Sequence, residues 1–245
     1  MSKKQIIYAV ALLVVVIFLV SGCGGTQIST VDSPKVIQTY GEAEVKAEPE
    51  VAKISLAIQT RGTSAVEVAE ENARLANAVM EALKNFGLAE EDIKTGSYSL
   101  YSYREWFDGR PEGGLEVITF QAVNEILVTT DNLETVGEII DLAIRSGANN
   151  INYINFELKD PQELLMQALA MASEQASKKA EAIANSTGDS ITGLHSIREE
   201  RADYIPYRFG DSMMQEEMAM GGAPTPISPD LVTVRASVVA EFTIR

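Results

Sequence analysis

From Val232 to Ile244 an apolar residue occupies every second position: Val232, Val234, Ala236, Val238, Ala240, Phe242 and Ile244. Successive side chains of an extended chain point to opposite faces, so a repeat of two marks a strand with one buried side. The segment Leu231 to Arg245 is therefore predicted to be a strand lying on a packed sheet.

Other stretches share this signature. Lys35 to Arg61 reads as strand, with Val45, Val51, Ile54, Leu56 and Ile58 as its apolar positions and a break at Glu48-Pro49. Proline inside such a run implies an edge, a bulge or a turn. Gly96 to Phe107 is rich in aromatics and Leu115 to Thr130 in β-branched residues. The Gly- and Pro-containing residues 108–114 between them read as a turn, so the pair is predicted to be a long antiparallel hairpin. Asn152 to Leu158 alternates again, with Ile154, Phe156 and Leu158 on one face, and Ile191 to Arg198 is strand-like.

Three segments follow the helical repeat. Ser64-Ala65-Val66-Glu67 fits a capping box, and Val66, Ala69, Ala73, Ala76, Met80 and Leu83 make an apolar stripe that stops at Gly87. A second helix is expected over about Leu133 to Arg145, with Asp131 and Glu134 ahead of it and Gly147 behind. The longest opens at Asp160-Pro161-Gln162-Glu163, with Asp at the N-cap and Pro in the first turn, and runs to about Asn185. Its stripe is Leu165, Ala168, Ala172, Ala176, Ala180 and Ile183, small enough to bring a neighbour close. Residues 201–230, rich in Met, Pro and Gly, are expected to be a mobile loop. Strand pairs alternate with isolated helices and there is no regular βαβ series. The expected class is α+β, antiparallel sheet or sheets with amphipathic helices packed on one face.

The N-terminus reads as an address. Lys3 and Lys4 precede an unbroken apolar run from Ile6 to Val20, followed by Val20-Ser21-Gly22-Cys23. A charged start, a short apolar core and small residues before a cleavage point describe a secretory signal, and the run is short for a membrane span. Val-Ser-Gly-Cys resembles the bacterial lipobox, whose cysteine carries diacylglycerol and becomes the new N-terminus. Residues 1–22 are thus expected to be a lipoprotein signal peptide, Cys23 the lipid attachment site and 23–34 a flexible tether. The domain is expected at 35–245. The protein should be exported and lipid-anchored, on the outer face of the cell membrane or in an outer membrane.

Composition removes several function classes. The chain has one Cys and one His. Neither an internal disulfide nor a His-rich or Cys-rich zinc site can be assembled from them. Lys plus Arg total 20 against 35 Asp plus Glu, a net charge of −15, so no nucleic-acid partner is expected.

Several stretches, in order, resemble the SIMPL domain family, which includes bacterial periplasmic immunogenic proteins. Gly41-Glu42-Ala43-Glu44-Val45 followed by Pro49-Glu50-Val51-Ala52 looks like that family's first hairpin. Asp92-Ile93-Lys94-Thr95 with Tyr98-Ser99-Leu100 resembles the start of its second strand. Leu133-Glu134-Thr135-Val136-Gly137 and Gly147-Ala148-Asn149 bracket its middle helix. Phe156-Glu157-Leu158, Ala176 to Ala184 and Val232 to Phe242 follow in order. The chain departs from the pattern with Pro229-Asp230 where Pro-Gly is expected before the last strand. The resemblance implies a SIMPL-like fold, an envelope location and self-association, in some members into rings. It supplies no catalytic residues, and no cofactor is expected.

A search for chemistry returns little. A Ser-His-acid triad would have to use His195, which sits in a strand-like segment, and no Gly-x-Ser-x-Gly elbow occurs. The acidic clusters at Glu90-Glu91-Asp92, Glu199-Glu200 and Glu216-Glu217 lack the spacing of a calcium loop. The expectation is a protein without catalytic activity. Tyr98, Tyr101, Tyr103, Trp106 and Phe107 crowd one strand and put aromatics on both of its faces. One face should pack on the core; the other is a candidate interface between copies or, alternatively, a sugar platform. Met213, Met214, Met218 and Met220 cluster in the long loop. Soft thioethers select Cu(I), so copper handling outside the cytoplasm is the alternative to a self-associating scaffold, and adaptable protein contact is the other use of such a loop. The protein partner, if other than a second copy, is unknown.

Overall fold

The computed structural model describes residues 34–106, 116–209 and 225–245. Among them the chain forms eight strands and three α-helices. The strands are β1 (Val36–Ala47), β2 (Val51–Gly62), β3 (Ile93–Trp106), β4 (Glu116–Thr130), β5 (Asn150–Glu157), β6 (Ile191–Ile205), β7 (Tyr207–Arg208) and β8 (Val232–Ile244). The helices are α1 (Ala65–Phe86), α2 (Val136–Ser146) and α3 (Gln162–Thr187). The strands make two antiparallel sheets, one ordered β1-β8-β6 and one ordered β3-β4-β2-β5-β7. This is the α+β architecture that the patterning predicts. Among the described residues no helix is long and apolar enough to cross a membrane.

The five-stranded sheet buries one face under α1 and α2. Ile54, Leu56 and Ile58 of β2, Ile126 and Val128 of β4, and Ile154 and Phe156 of β5 meet Val79 and Leu83 of α1 and Ile139 and Ile140 of α2. Among the described residues the opposite face carries no helix, as an antiparallel sheet permits. Helix α1 begins as the capping box implies: the Glu67 amide donates to Ser64 Oγ at 3.5 Å, and Gly87 ends the helix in the left-handed region at φ 112°.

The buried stripe of α1 is Val68, Asn72, Ala76, Val79 and Leu83, rotated from the predicted one, and Val66 is two-thirds exposed. The rotation turns a polar residue into the core. Asn72 is fully buried, and its Nδ2 donates to the carbonyls of Ile58 at 2.9 Å and Ala122 at 3.3 Å. A side chain that ties two strands to a helix outweighs the apolar pattern that would have placed it outside.

The three-stranded sheet is covered by α3. Ala168, Ala172, Ala176, Ala180 and Ala184 recur every fourth residue and are all buried. The first four pack on Val234, Ala236, Val238, Ala240 and Phe242 of β8, the period-two face read from the sequence. Ile183, predicted in this stripe, is exposed. The helix starts one residue later than predicted, and Asp160 Oδ1 accepts from the Gln162 amide at 2.9 Å.

The first two strands do not form a hairpin with each other, contrary to the expectation drawn from Gly41 to Ala52. β1 pairs with β8, whereas β2 pairs with β4 and β5. The chain changes sheets across Glu48-Pro49-Glu50, where a proline cannot donate to a ladder. A second change occurs at Pro206, between β6 and β7. Strand β6 therefore extends to Ile205, which removes residues 201–205 from the predicted loop. At this junction one hydrogen bond joins the two sheets, between Leu158 and Tyr204, and two others tie the ends of β2 and β5 within the five-stranded sheet. The Leu158 amide donates to the Tyr204 hydroxyl at 2.6 Å, the Glu50 amide to the Glu157 carbonyl at 2.8 Å, and the Lys159 amide to Glu50 Oε2 at 2.8 Å.

Candidate functional site

The aromatic strand lies where the sequence reading puts it, on the long hairpin of β3 and β4. Its register is regular from Tyr98 opposite Asn124 to Trp106 opposite Glu116. β2 accompanies β4 only as far as the pairing of Gly62 with Phe120, so the hairpin continues beyond it as a two-stranded ribbon. β3 is an outer strand of the five-stranded sheet.

The face opposite the helices carries Tyr101 and Tyr103, whose ring centroids stand 6.3 Å apart. On that face Tyr101 is 48% exposed; on the other face of the same hairpin Tyr98, Leu100 and Ile118 are 52%, 41% and 52% exposed, so large apolar side chains meet water on both faces. Local bonds stiffen the ribbon. Arg104 Nε pairs with Glu116 Oε1 at 2.9 Å, and Thr119 Oγ1 donates to Glu105 Oε2 at 2.8 Å. Trp106 is the last residue of β3.

At its base, β3 is interrupted by a bulge between Thr95 and Tyr98. A polar cluster fixes it. Glu125 of β4 accepts from Ser55 Oγ of β2 at 2.5 Å, from Ser97 Oγ in the bulge at 3.0 Å and from Asn152 Nδ2 of β5 at 3.3 Å. Asn152 Nδ2 also reaches Ser55 Oγ at 2.9 Å. The Ser55 hydroxyl, which contributes most, and the Ser97 and Asn152 donors hold the Glu125 carboxyl below the usual carboxylate range, against a desolvation that pushes it up. Gly96 lies against that carboxylate so closely that a Cβ would come within 2.8 Å of Glu125 Oε2. One carboxylate thus ties four strands together beside the exposed edge. Sequence reading does not find this group, because its members are dispersed between positions 55 and 152 and no local motif joins them.

The cluster lacks a general base beside a free nucleophile: Ser55 is fully buried and its hydroxyl proton is committed to Glu125. His195 is exposed on β6. Glu90 of the acidic cluster is paired with Lys84 at 2.7 Å, and Glu199 and Glu200 face solvent. Among the described residues no three His, Cys, Asp or Glu side chains converge as a metal site. Cys23, Phe107, Glu216, Glu217, Met213, Met214, Met218 and Met220 lie outside the described residues.

Among the described residues, cavities open at two places on the surface away from this cluster. One of about 480 Å³ lies between the start of α2 and residues 225–229, where Thr225 Oγ1 donates to Asp141 Oδ1 at 2.7 Å. The other, about 410 Å³, lies over Glu42, Glu44, Arg201 and Arg235 of the three-stranded sheet, with Arg235 Nε on Glu44 Oε2 at 2.7 Å. The second holds opposite charges that pair with each other, and the lining of neither includes a residue of β3.

Residues 37–242 match the SIMPL family, described as a protein of unknown function (DUF541). The 26 kDa periplasmic immunogenic protein of Brucella melitensis biotype 1 is 25% identical over 167 residues, 68% of this chain and 67% of that protein. The uncharacterized protein YggE of Edwardsiella ictaluri is 23% identical over 175 residues, covering 71% and 72%. YggE of Escherichia coli K12 is 21% identical over 187 residues, covering 76% and 74%.

Proposed function

We propose, from the premise that this chain belongs to the SIMPL family, that it is an exported envelope lipoprotein acting as a non-catalytic, self-associating scaffold. The observation that carries this reading is the exposure of large apolar side chains on both faces of the β3–β4 hairpin, Tyr98, Leu100 and Ile118 on the side of the helices and Tyr101 on the other. Large aromatic side chains left in water on a regular strand fit an interface better than a solvated surface. Export is supported by the periplasmic relative in Brucella melitensis. Lipid attachment is supported by Val20-Ser21-Gly22-Cys23 at the end of a short apolar run.

Two experiments test the reading. Light scattering after size exclusion on the protein from Gly24 onward should give a discrete multimer at micromolar concentration; a monomer rejects self-association. Metabolic labelling with an alkyne fatty acid should mark the wild-type protein and leave Cys23→Ala unmarked; equal labelling of both rejects the anchor.

A further inference from the structure

A sheet edge is a row of unpaired main-chain donors and acceptors, and native proteins blunt such rows by identifiable devices. Among the described residues the two sheets have four edges, and three of them are blunted over part of their length. Beside β1 stands α3, whose Gln175 Oε1 accepts from the Glu42 amide at 2.9 Å and whose Lys179 Nζ donates to the Tyr40 carbonyl at 2.8 Å. These side chains occupy main-chain groups that β8 does not. β6 is broken by three register shifts against β8, between Ile191 and Gly193, Leu194 and Ser196, and Glu199 and Arg201. It also carries Arg198, Glu199, Glu200 and Arg201 in a row. β5 is covered from Ile154 to Phe156 by the two-residue β7 and by the Phe209 amide, which donates to the Ile154 carbonyl at 2.9 Å.

The edge of β3 from Tyr98 to Trp106 has none of these among the described residues. It is unbulged over nine residues. It is also locally neutral, with Arg104 and Glu105 as its charged residues, in a protein of net charge −15. Two copies of so acidic a chain repel each other over most of their surfaces, and a neutral strip lowers that barrier.

We infer that this edge takes a second copy of the same chain, strand to strand and antiparallel about a two-fold axis through Ser102, so that two five-stranded sheets become one continuous sheet. The inference rests on the self-association proposed above and names its surface and register. Ser102 is the midpoint of the unbulged run, so centring there is the register in which all nine residues find a partner. A two-fold interface uses the same patch on both copies, as this one does. The register sets Tyr101 opposite the partner's Tyr103 on the helix-free face, twice over. Aromatic cross-strand pairs of that kind are favourable.

Disulfide trapping tests the arrangement in the full chain carrying Cys23→Ser, where an introduced thiol is the only one. Directly opposed antiparallel residues have Cα atoms about 5 Å apart, within disulfide reach. Moving one residue from the axis separates the two thiol-bearing Cα atoms by roughly 8 Å and moving two by more, because each step shifts the copies in opposite directions. Under mild oxidation Ser102→Cys should form at least tenfold more covalent dimer than Leu100→Cys or Arg104→Cys, and than Glu200→Cys on the blunted β6 edge. Light scattering of the parent chain separates the two ideas. If the parent is multimeric but the profile is flat or peaks away from Ser102, this pairing is overturned and self-association survives through another surface. If the parent is monomeric, both fall.

Discussion

Gly41 of β1 sits directly against the backbone of Ala172 in α3: a methyl group at Gly41 would run into the Ala172 carbonyl oxygen and come within 2.8 Å of the Ala176 amide nitrogen. Thr39, two residues earlier, donates to the Ala176 carbonyl at 2.8 Å and fixes the same approach. Strand and helix therefore touch main chain to main chain, which the alanine stripe of α3 permits and a larger stripe would prevent.

Gly41→Ala should consequently destabilise the protein by about 2–3 kcal/mol, at the upper end for overpacking, because backbone cannot turn aside as a side chain can. Chemical denaturation measures it. A loss below about 0.5 kcal/mol would mean that helix and strand part easily.

Asn72→Ala should cost about 1–3 kcal/mol by leaving the carbonyls of Ile58 and Ala122 without their donor. Asn72→Leu should not recover the loss, although it restores an apolar stripe. Recovery in the urea midpoint would show that the hydrogen bonds contribute little.

Glu125 links the edge strand to pH. Its folded carboxyl titrates below the unfolded value, so the stabilisation is complete above about pH 4.5 and is lost as pH falls through the folded value. Glu125→Gln should therefore flatten the acid limb of the stability curve below that pH. Its donors Ser55, Ser97 and Asn152 are neutral, so the difference should persist at high salt. An unchanged acid limb refutes this account.

Tyr204→Phe removes the acceptor that the Leu158 amide uses at the junction of the two sheets. It should cost about 1–2 kcal/mol while leaving the core in place. Hydrogen exchange should show the Leu158 amide losing protection ahead of the β2 and β4 amides.

Replacing Tyr98, Leu100 and Tyr101 together by Ser removes side chains that are about half exposed, so folding stability should fall by about 1–3 kcal/mol while the fold is kept. It should weaken self-association at least tenfold. Light scattering over a dilution series reads the second effect and thermal unfolding the first.

Much of the fold is legible along the chain. The capping box at Ser64, the Ala168 to Ala180 stripe and the alternation of Val232 to Phe242 each appear as read, because each is a local repeat that one element satisfies. The errors share a cause. The α1 stripe turned to include Asn72 because a polar residue with two carbonyl partners is stable inside, and those partners come from β2 and β4. Strand β6 outran its apolar pattern because an edge strand is held by its main chain while both faces see water.

What the sequence by itself determined is most of the elements and the faces that α3 and β8 hide, together with the acidic charge and the small inventory of reactive side chains. Those properties depend on residues a few positions apart. Only the tertiary structure decided that β1 pairs with β8 while β2 leaves for another sheet, that Glu125 gathers Ser55, Ser97 and Asn152, and that among the described residues the β3 edge has no strand beside it. Main-chain hydrogen bonds are the same for almost every residue, so a strand carries no label for its neighbour. The choice falls to how buried faces fit across the whole chain, and to which side chains happen to reach the edges that remain.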